Sequence, residues 1–309
     1  MRIAIVGAGS LGSVFGGVLA SGGSEVFLLS RSQPYIDQVT QSGLILLEDS
    51  GLRTTYPKVT SDASSVGPVD LVIVLVKSFD TRDAMENASA LVGPSTTVLS
   101  LQNGLGNEEI LAELFGTARL LYGRTFVGGD AISLGKVTAG LAGKLTIIGE
   151  PDGRASSRAG DVAHVFNSAG LLTQISENIS GVIWNKLLVN VATGALAGVT
   201  RLTYGYLYEL PVLAETAIAA VNEGISVARA IGVKLISEDA EEIWHSAGRG
   251  QPLSFRTSIF QSLERKAKTE IDFINGALVR MGEKVGVATP VNRTLVACIK
   301  GLEFSASVG

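Results

Sequence analysis

One cysteine, Cys298, and two histidines, His164 and His245, stand in a chain of 309 residues. A single thiol excludes an internal disulfide and suits a reducing compartment, which points to the cytoplasm. The histidines lie far apart in sequence and no Cys/His ligand spacing exists, so no metal site is expected. Charge is also scarce, at 17% of residues, and a net charge of −4 without a basic run gives no electrostatic footprint for nucleic acid. Internal repeats and low-complexity segments are missing. Beyond the N-terminus no stretch reads as long and apolar enough to span a membrane, because the run from Val182 to Val199 is interrupted by Asn185, Lys186 and Asn190. Apolar residues, at 46%, are ample for sizeable cores and exclude disorder. The length suggests two domains.

What is present begins at once, with MRIAIVGAGSLG. Arg2 to Val6 reads as a buried strand, and Gly7, Gly9 and Gly12 follow at the spacing of a dinucleotide fingerprint. Gly7 lets the strand turn sharply, Gly9 lets backbone approach a pyrophosphate, and Gly12 lets the helix pack closely on the strand. The helix then offers N–H groups and its positive dipole end to phosphates. A leader or membrane anchor would also fit a start with one basic residue and no further charge up to Ser24. Against it, Glu25 to Leu29 (EVFLL) is a second strand one crossover helix later. After that strand stands Arg31, where a dinucleotide fold places an acidic residue to read a ribose 2′-OH or an arginine to pair with a 2′-phosphate. The arginine predicts NADP(H) over NAD(H).

Short strands with a turn at Asp49 to Gly51 are expected between Leu44 and Val59, and Asp70 to Lys77 (DLVIVLVK) reads as a parallel strand covered on both faces. It delivers Lys77 to the edge where open α/β sheets bind ligands, as the strand Thr97 to Leu101 delivers Asn103. From Phe126 to Glu150 glycine-punctuated strands suggest an antiparallel edge added to the sheet. A helix from Ala159 to Ala169 and a strand from Leu171 to Ile175 close this domain. The boundary is placed at residue 178, with 1–178 a dinucleotide-binding α/β domain and 179–309 helical.

GAGSLG (7 to 12), LVKSFDT (75 to 81), LQNGLGNEE (101 to 109), GRTFVGG with IIGE (123 to 129 and 147 to 150), WNKLLVN (184 to 190), TEIDFINGALV (269 to 279) and TPVNRTL (289 to 295) occur in that order. Together they resemble the ketopantoate reductase (2-dehydropantoate 2-reductase) family over essentially the whole chain. The resemblance implies a Rossmann domain, a helical C-terminal domain, and NADPH-dependent reduction of a 2-oxo acid in the cleft between them. In the family this step makes pantoate for the pantothenate and coenzyme A route.

Hydride delivery to a ketone leaves an alkoxide that needs a proton. The family's catalytic lysine falls on Lys186, in an otherwise apolar helical run where partial desolvation is expected to lower its pKa. Asn190, one turn along, matches a substrate contact, as do Asn103 and Ser258, and Glu270 is assigned to catalysis beside the lysine. Gly7, Ala8, Gly9, Ser10, Leu11, Gly12, Arg31, Lys77 and Asn103 are the implied cofactor contacts. Ser258 and Glu270 would lie about 18 Å apart on one unbroken helix, so a break near Lys266 to Lys268 is expected. Thr269 and Asp272 then read as a helix start that puts Glu270 in a first helical turn, where the dipole favours its ionised form.

Two positions depart from the family pattern: Gly194 stands where a second asparagine is common, and Ser262 where an aspartate is frequent. Gly194 is expected to leave space beside the substrate, which opens a second reading, reduction of another 2-oxo acid. A third is a cofactor-binding sensor without turnover, against which the pairing of Lys186 with Glu270 argues. The oligomeric state is left open, a homodimer being one outcome.

Overall fold

Alternate residues of the first strand enter different cores. In the computed structural model, which describes residues 1–308, Ile3 and Ile5 join one apolar cluster with Leu71 and Ile73, while Ala4 and Val6 join another with Val72 and Val74. A strand covered on both faces needs apolar residues at every position, hence the continuous runs.

The strands are β1 (Arg2–Val6), β2 (Glu25–Leu29), β3 (Leu44–Glu48), β4 (Gly51–Thr55), β5 (Lys58–Thr60) and β6 (Leu71–Val74). They continue as β7 (Thr97–Ser100), β8 (Leu120–Thr125), β9 (Ala131–Ser133), β10 (Lys136–Thr138), β11 (Thr146–Gly149) and β12 (Thr173–Ile175). One sheet has the order β12-β11-β8-β7-β6-β1-β2-β5. Its strands from β5 to β8 are parallel, and β11 joins β8 antiparallel. The chain winds outward from β1 in one direction through β2 and in the other through β6. The switch point therefore lies between β1 and β6, where open sheets of this kind bind ligands.

The expected antiparallel edge is only partly realised. β11 supplies it, but β9 and β10 leave for a second sheet of order β4-β3-β10-β9. There β10 lies parallel to β3, the Ile45 amide donates to the Gly135 carbonyl and the Ala139 amide to that of Leu47, both at 2.8 Å. The hairpin thus covers an edge of β3 that would otherwise expose unpaired backbone.

The chain divides into two compact units, one of Met1–Gln102 with Asn107–Ile179, the other of Asn103–Gly106 with the chain from Ser180 onward. Asn103 thus falls outside the α/β unit to which the sequence assigned it. The second unit is helical, with principal helices Ile179–Thr200, Pro211–Ala230, Ala240–Gly248, Ser258–Glu264, Asn275–Val285 and Pro290–Val308. Small residues let these helices approach. A Cβ on Gly198 would meet Ile259 and Ile299 at 2.8 and 2.9 Å, and one on Gly224 would strike Leu188 and Leu278.

By length and composition the helix Ile179–Thr200 could cross a membrane, contrary to the reading of its interrupted run. Three polar residues do not offset the surrounding Val, Leu and Ala. With 67% of its most apolar window buried within the protein, it has the character of a core helix.

Candidate active site

In the α/β unit, β1 ends at Gly7, whose φ of +109° suits glycine and whose added Cβ would lie 2.5 Å from the Val76 nitrogen. The Ala8 amide donates to the Leu29 carbonyl at 3.2 Å, which ties the loop to the end of β2. Gly9 is the N-cap of the helix Ser10–Ser21, and a Cβ there would meet nothing within 4 Å. A Cβ on Gly12 would collide with the Gly7 carbonyl. Two glycines are thus required by packing and the middle one faces open space beside half-buried Ser10 and Leu11. This cradle fits the pyrophosphate of a dinucleotide, with the helix N-terminus supplying N–H donors.

Arg31 is 91% exposed, between β2 and the helix Gln33–Ser42, and its Nη2 lies 3.5 Å from Oδ2 of Asp80. Lys77 is exposed and begins a 3-10 turn, Ser78–Asp80. A buried network not foreseen from sequence braces this turn. The Gln102 amide donates to the Val76 carbonyl at 2.9 Å and to the Thr81 hydroxyl at 2.7 Å. Thr81 donates to Asn107 Oδ1 at 2.9 Å, and Asn107 Nδ2 donates to the Ser78 hydroxyl at 3.3 Å. Ser78, Thr81, Gln102 and Asn107 are all buried. The available signal was the presence of polar residues beside two strand ends, within the motifs that supply Lys77 and Asn103.

In the helical unit, Lys186 and Asn190 lie one turn apart on the helix Ile179–Thr200, both half-buried. Between them and the helix start, Asn185 acts structurally: its Oδ1 accepts the Ile236 amide at 2.5 Å and its Nδ2 donates to the Ser237 carbonyl at 3.1 Å. Asn103 is also half-buried, in a loop where Gly104 and Gly106 have positive φ. The Leu105 amide donates to the Phe273 carbonyl at 2.9 Å, which joins this loop to the segment carrying Glu270.

Ser258 is exposed, the first residue of a helix capped by Thr257, whose hydroxyl accepts the Phe260 amide at 3.3 Å. The break before Glu270 is present. The helix ends at Glu264 and Lys266 takes a left-handed φ of +53°. Glu270, buried at 7% exposure, does not sit in a first α-helical turn. It precedes a three-residue 3-10 turn, Ile271–Phe273, and the α-helix starts only at Asn275. The dipole argument fails for so short a turn. Asp272 caps no helix either, since it accepts Lys300 Nζ at 2.9 Å.

Gly194 differs from expectation too. It is buried, and an added Cβ would meet Ile259 Cδ1 at 3.2 Å, so an isoleucine already fills the place an asparagine would need. Ser262, at the other departure, is half-buried on the helix Ser258–Glu264. Among the described residues no cluster of three or more His, Cys, Asp or Glu could hold a metal ion.

Residues 3–153 match the family model described as "Ketopantoate reductase PanE/ApbA", and residues 178–303 match that of its C-terminal domain. The chain belongs to the ketopantoate reductase family. A relative from Halobacterium salinarum named 2-dehydropantoate 2-reductase is 36% identical, covering 97% of this chain and 98% of its own. The crystal structure of a ketopantoate reductase family member from Ralstonia eutropha JMP134 superposes with a TM-score of 0.91 at 32% identity, covering 99% of this chain and all of that one. A D-mandelate dehydrogenase solved with NADH and anilino(oxo)acetate gives 0.93 at 26% identity, covering 99% and 100%. With the glycine cradle, family membership makes a nicotinamide dinucleotide the cofactor class that fits this ketopantoate reductase fold.

Proposed function

We propose that the chain reduces 2-dehydropantoate to pantoate with NADPH, in the route to pantothenate and coenzyme A. The observation that carries this reading is its similarity along nearly its whole length to curated 2-dehydropantoate 2-reductases. The nicotinamide, when bound, supplies the hydride. The residues of the chain then have separate tasks. Gly7 to Gly12 seat the pyrophosphate, with Ala8, Ser10 and Leu11 in contact, and Arg31 pairs with the 2′-phosphate. Lys77 and Asn103 flank the cofactor. Asn103, Asn190 and Ser258 hydrogen-bond the substrate. Lys186 donates a proton from Nζ to the oxygen of the carbonyl being reduced and regains it from solvent. Glu270 accepts a hydrogen bond from a substrate hydroxyl or from Lys186. A small 2-oxo acid is the partner in this reading, the cytoplasm is the compartment that a single thiol suits, and a homodimer is one assembly open to the chain.

A second reading, reduction of another 2-oxo acid, is favoured by the mandelate dehydrogenase likeness. NADPH oxidation with 2-dehydropantoate beside branched and aromatic 2-oxo acids separates the two. Turnover of 2-dehydropantoate far above the rest is expected. Preference for an aromatic acid would move the chain to the second reading, and cofactor binding with no turnover at all to a sensor.

A further inference from the structure

Asp80 ends the 3-10 turn Ser78–Asp80 and leads straight into the helix Thr81–Asn87 with helical backbone angles, φ −98° and ψ −2°. Its side chain makes no capping bond to the helix. The carboxylate lies instead 3.5 Å from Arg31 Nη2. Both backbones are anchored. The Asp80 amide donates to the Lys77 carbonyl at 2.8 Å, the Ser30 amide to that of Thr60 at 3.1 Å, and the Ser32 hydroxyl caps the next helix by accepting the Tyr35 amide at 3.4 Å. The carboxylate therefore stands at the guanidinium that the 2′-phosphate would need. Arg82, two residues on, is paired instead with Glu113 and Glu86.

We infer that Asp80 tunes the cofactor preference by competing with the 2′-phosphate for Arg31. An incoming phosphate must displace the carboxylate and remain near its negative charge, whereas a ribose 2′-OH meets no such repulsion. The pair thus narrows the gap between NADPH and NADH that Arg31 alone would create. The inference rests on the reading that Arg31 takes the 2′-phosphate. Exposed pairs are weak, so the effect is a modest adjustment of selectivity.

The test is the dissociation constants of NADPH and NADH, from nucleotide fluorescence titrations without substrate. The proteins are the unsubstituted chain, Asp80→Asn, Asp80→Ser and Arg31→Ala. The serine variant removes the charge with a side chain of different shape, so an effect shared by both variants follows from the loss of the carboxylate and not from the helix start. Both Asp80 variants are expected to bind NADPH roughly three- to fivefold more tightly with NADH unchanged, and the gain shrinks at high salt. An unchanged NADPH-to-NADH ratio, or weaker NADPH binding, would overturn the inference, the latter by making Asp80 an aid that positions the arginine. Arg31→Ala tests the underlying reading separately. A selective loss of NADPH affinity supports it, and an equal effect on both nucleotides removes it together with the inference.

Discussion

Glu303 accepts two hydrogen bonds from Thr269, from its amide and from its hydroxyl, each at 2.7 Å, so the last helix holds the residue directly before Glu270. Lys300 completes the clasp, bridging Glu303 and Asp272 at 3.0 and 2.9 Å. The residue before Glu270 is therefore tied to a side chain 34 positions further along the chain.

Burial pushes the Glu303 carboxyl up, but the Thr269 donors and Lys300 outweigh it and hold the group below the usual carboxylate range. A group depressed in this way stabilises the fold above the pKa of the unfolded chain and loses that contribution as pH falls through its folded value. Glu303→Gln is expected to cost about 1–2 kcal/mol at neutral pH, with the gap to the unsubstituted protein closing below about pH 4. Urea unfolding across that window checks it. A gap that stays constant into acid would show that the ionised carboxylate is not the stabilising species.

Lys186→Ala is expected to reduce turnover by roughly 100- to 10,000-fold while leaving the NADPH dissociation constant in place. Single-turnover absorbance measurements separate chemistry from binding. Unchanged turnover would remove the lysine from its role as proton donor.

Two of the cradle glycines, Gly9 and Gly12, should part company when each is replaced by alanine. Gly12→Ala, which drives a methyl into the Gly7 carbonyl, is expected to lower the unfolding temperature clearly. Gly9→Ala meets no atom within 4 Å and should unfold as before, yet bind NADPH at least tenfold more weakly because the methyl stands where the pyrophosphate approaches. Calorimetry and nucleotide titration on both variants distinguish packing from binding; equal affinity in Gly9→Ala would place the pyrophosphate elsewhere.

Gly194→Asn is expected to destabilise by about 1–3 kcal/mol, since Ile259 occupies the space. Adding Ile259→Ala should recover most of the loss, a coupling that a double-mutant cycle reads directly. Additive effects would mean that the two positions do not share one space.

The central strands and the glycine loop were legible in sequence because a doubly covered parallel strand must be apolar throughout, as β1 and β6 are. Lys186 and Asn190 were legible as neighbours through helical spacing alone. Ile259 opposite Gly194 was not, because two distant segments leave no periodic trace of their meeting. The same holds for Glu303 and Thr269. Thr269 and Asp272 misled only in part: the Thr269 hydroxyl accepts the Ile271 amide at 3.2 Å as a cap would, but only a three-residue 3-10 turn follows, and the Thr269 amide and Asp272 are taken by Glu303 and Lys300 of the last helix. The hairpin β9–β10 was assigned to the wrong sheet because its residues specify a strand without specifying which edge receives it.

That hairpin has a consequence for how the chain assembles. Its parallel pairing places Lys136 opposite Ile45, about 90 residues apart in sequence, whereas β3 and β4 meet through a turn of two residues. Loop closure over such a separation is entropically costly unless the intervening strands have already shortened it. The β10–β3 pairing, unlike the local β3–β4 hairpin, is therefore expected to close late, after β6, β7 and β8 have shortened the loop. Its amides at Ile45 and Ala139 should be among the first of the buried strand amides to exchange with solvent deuterium.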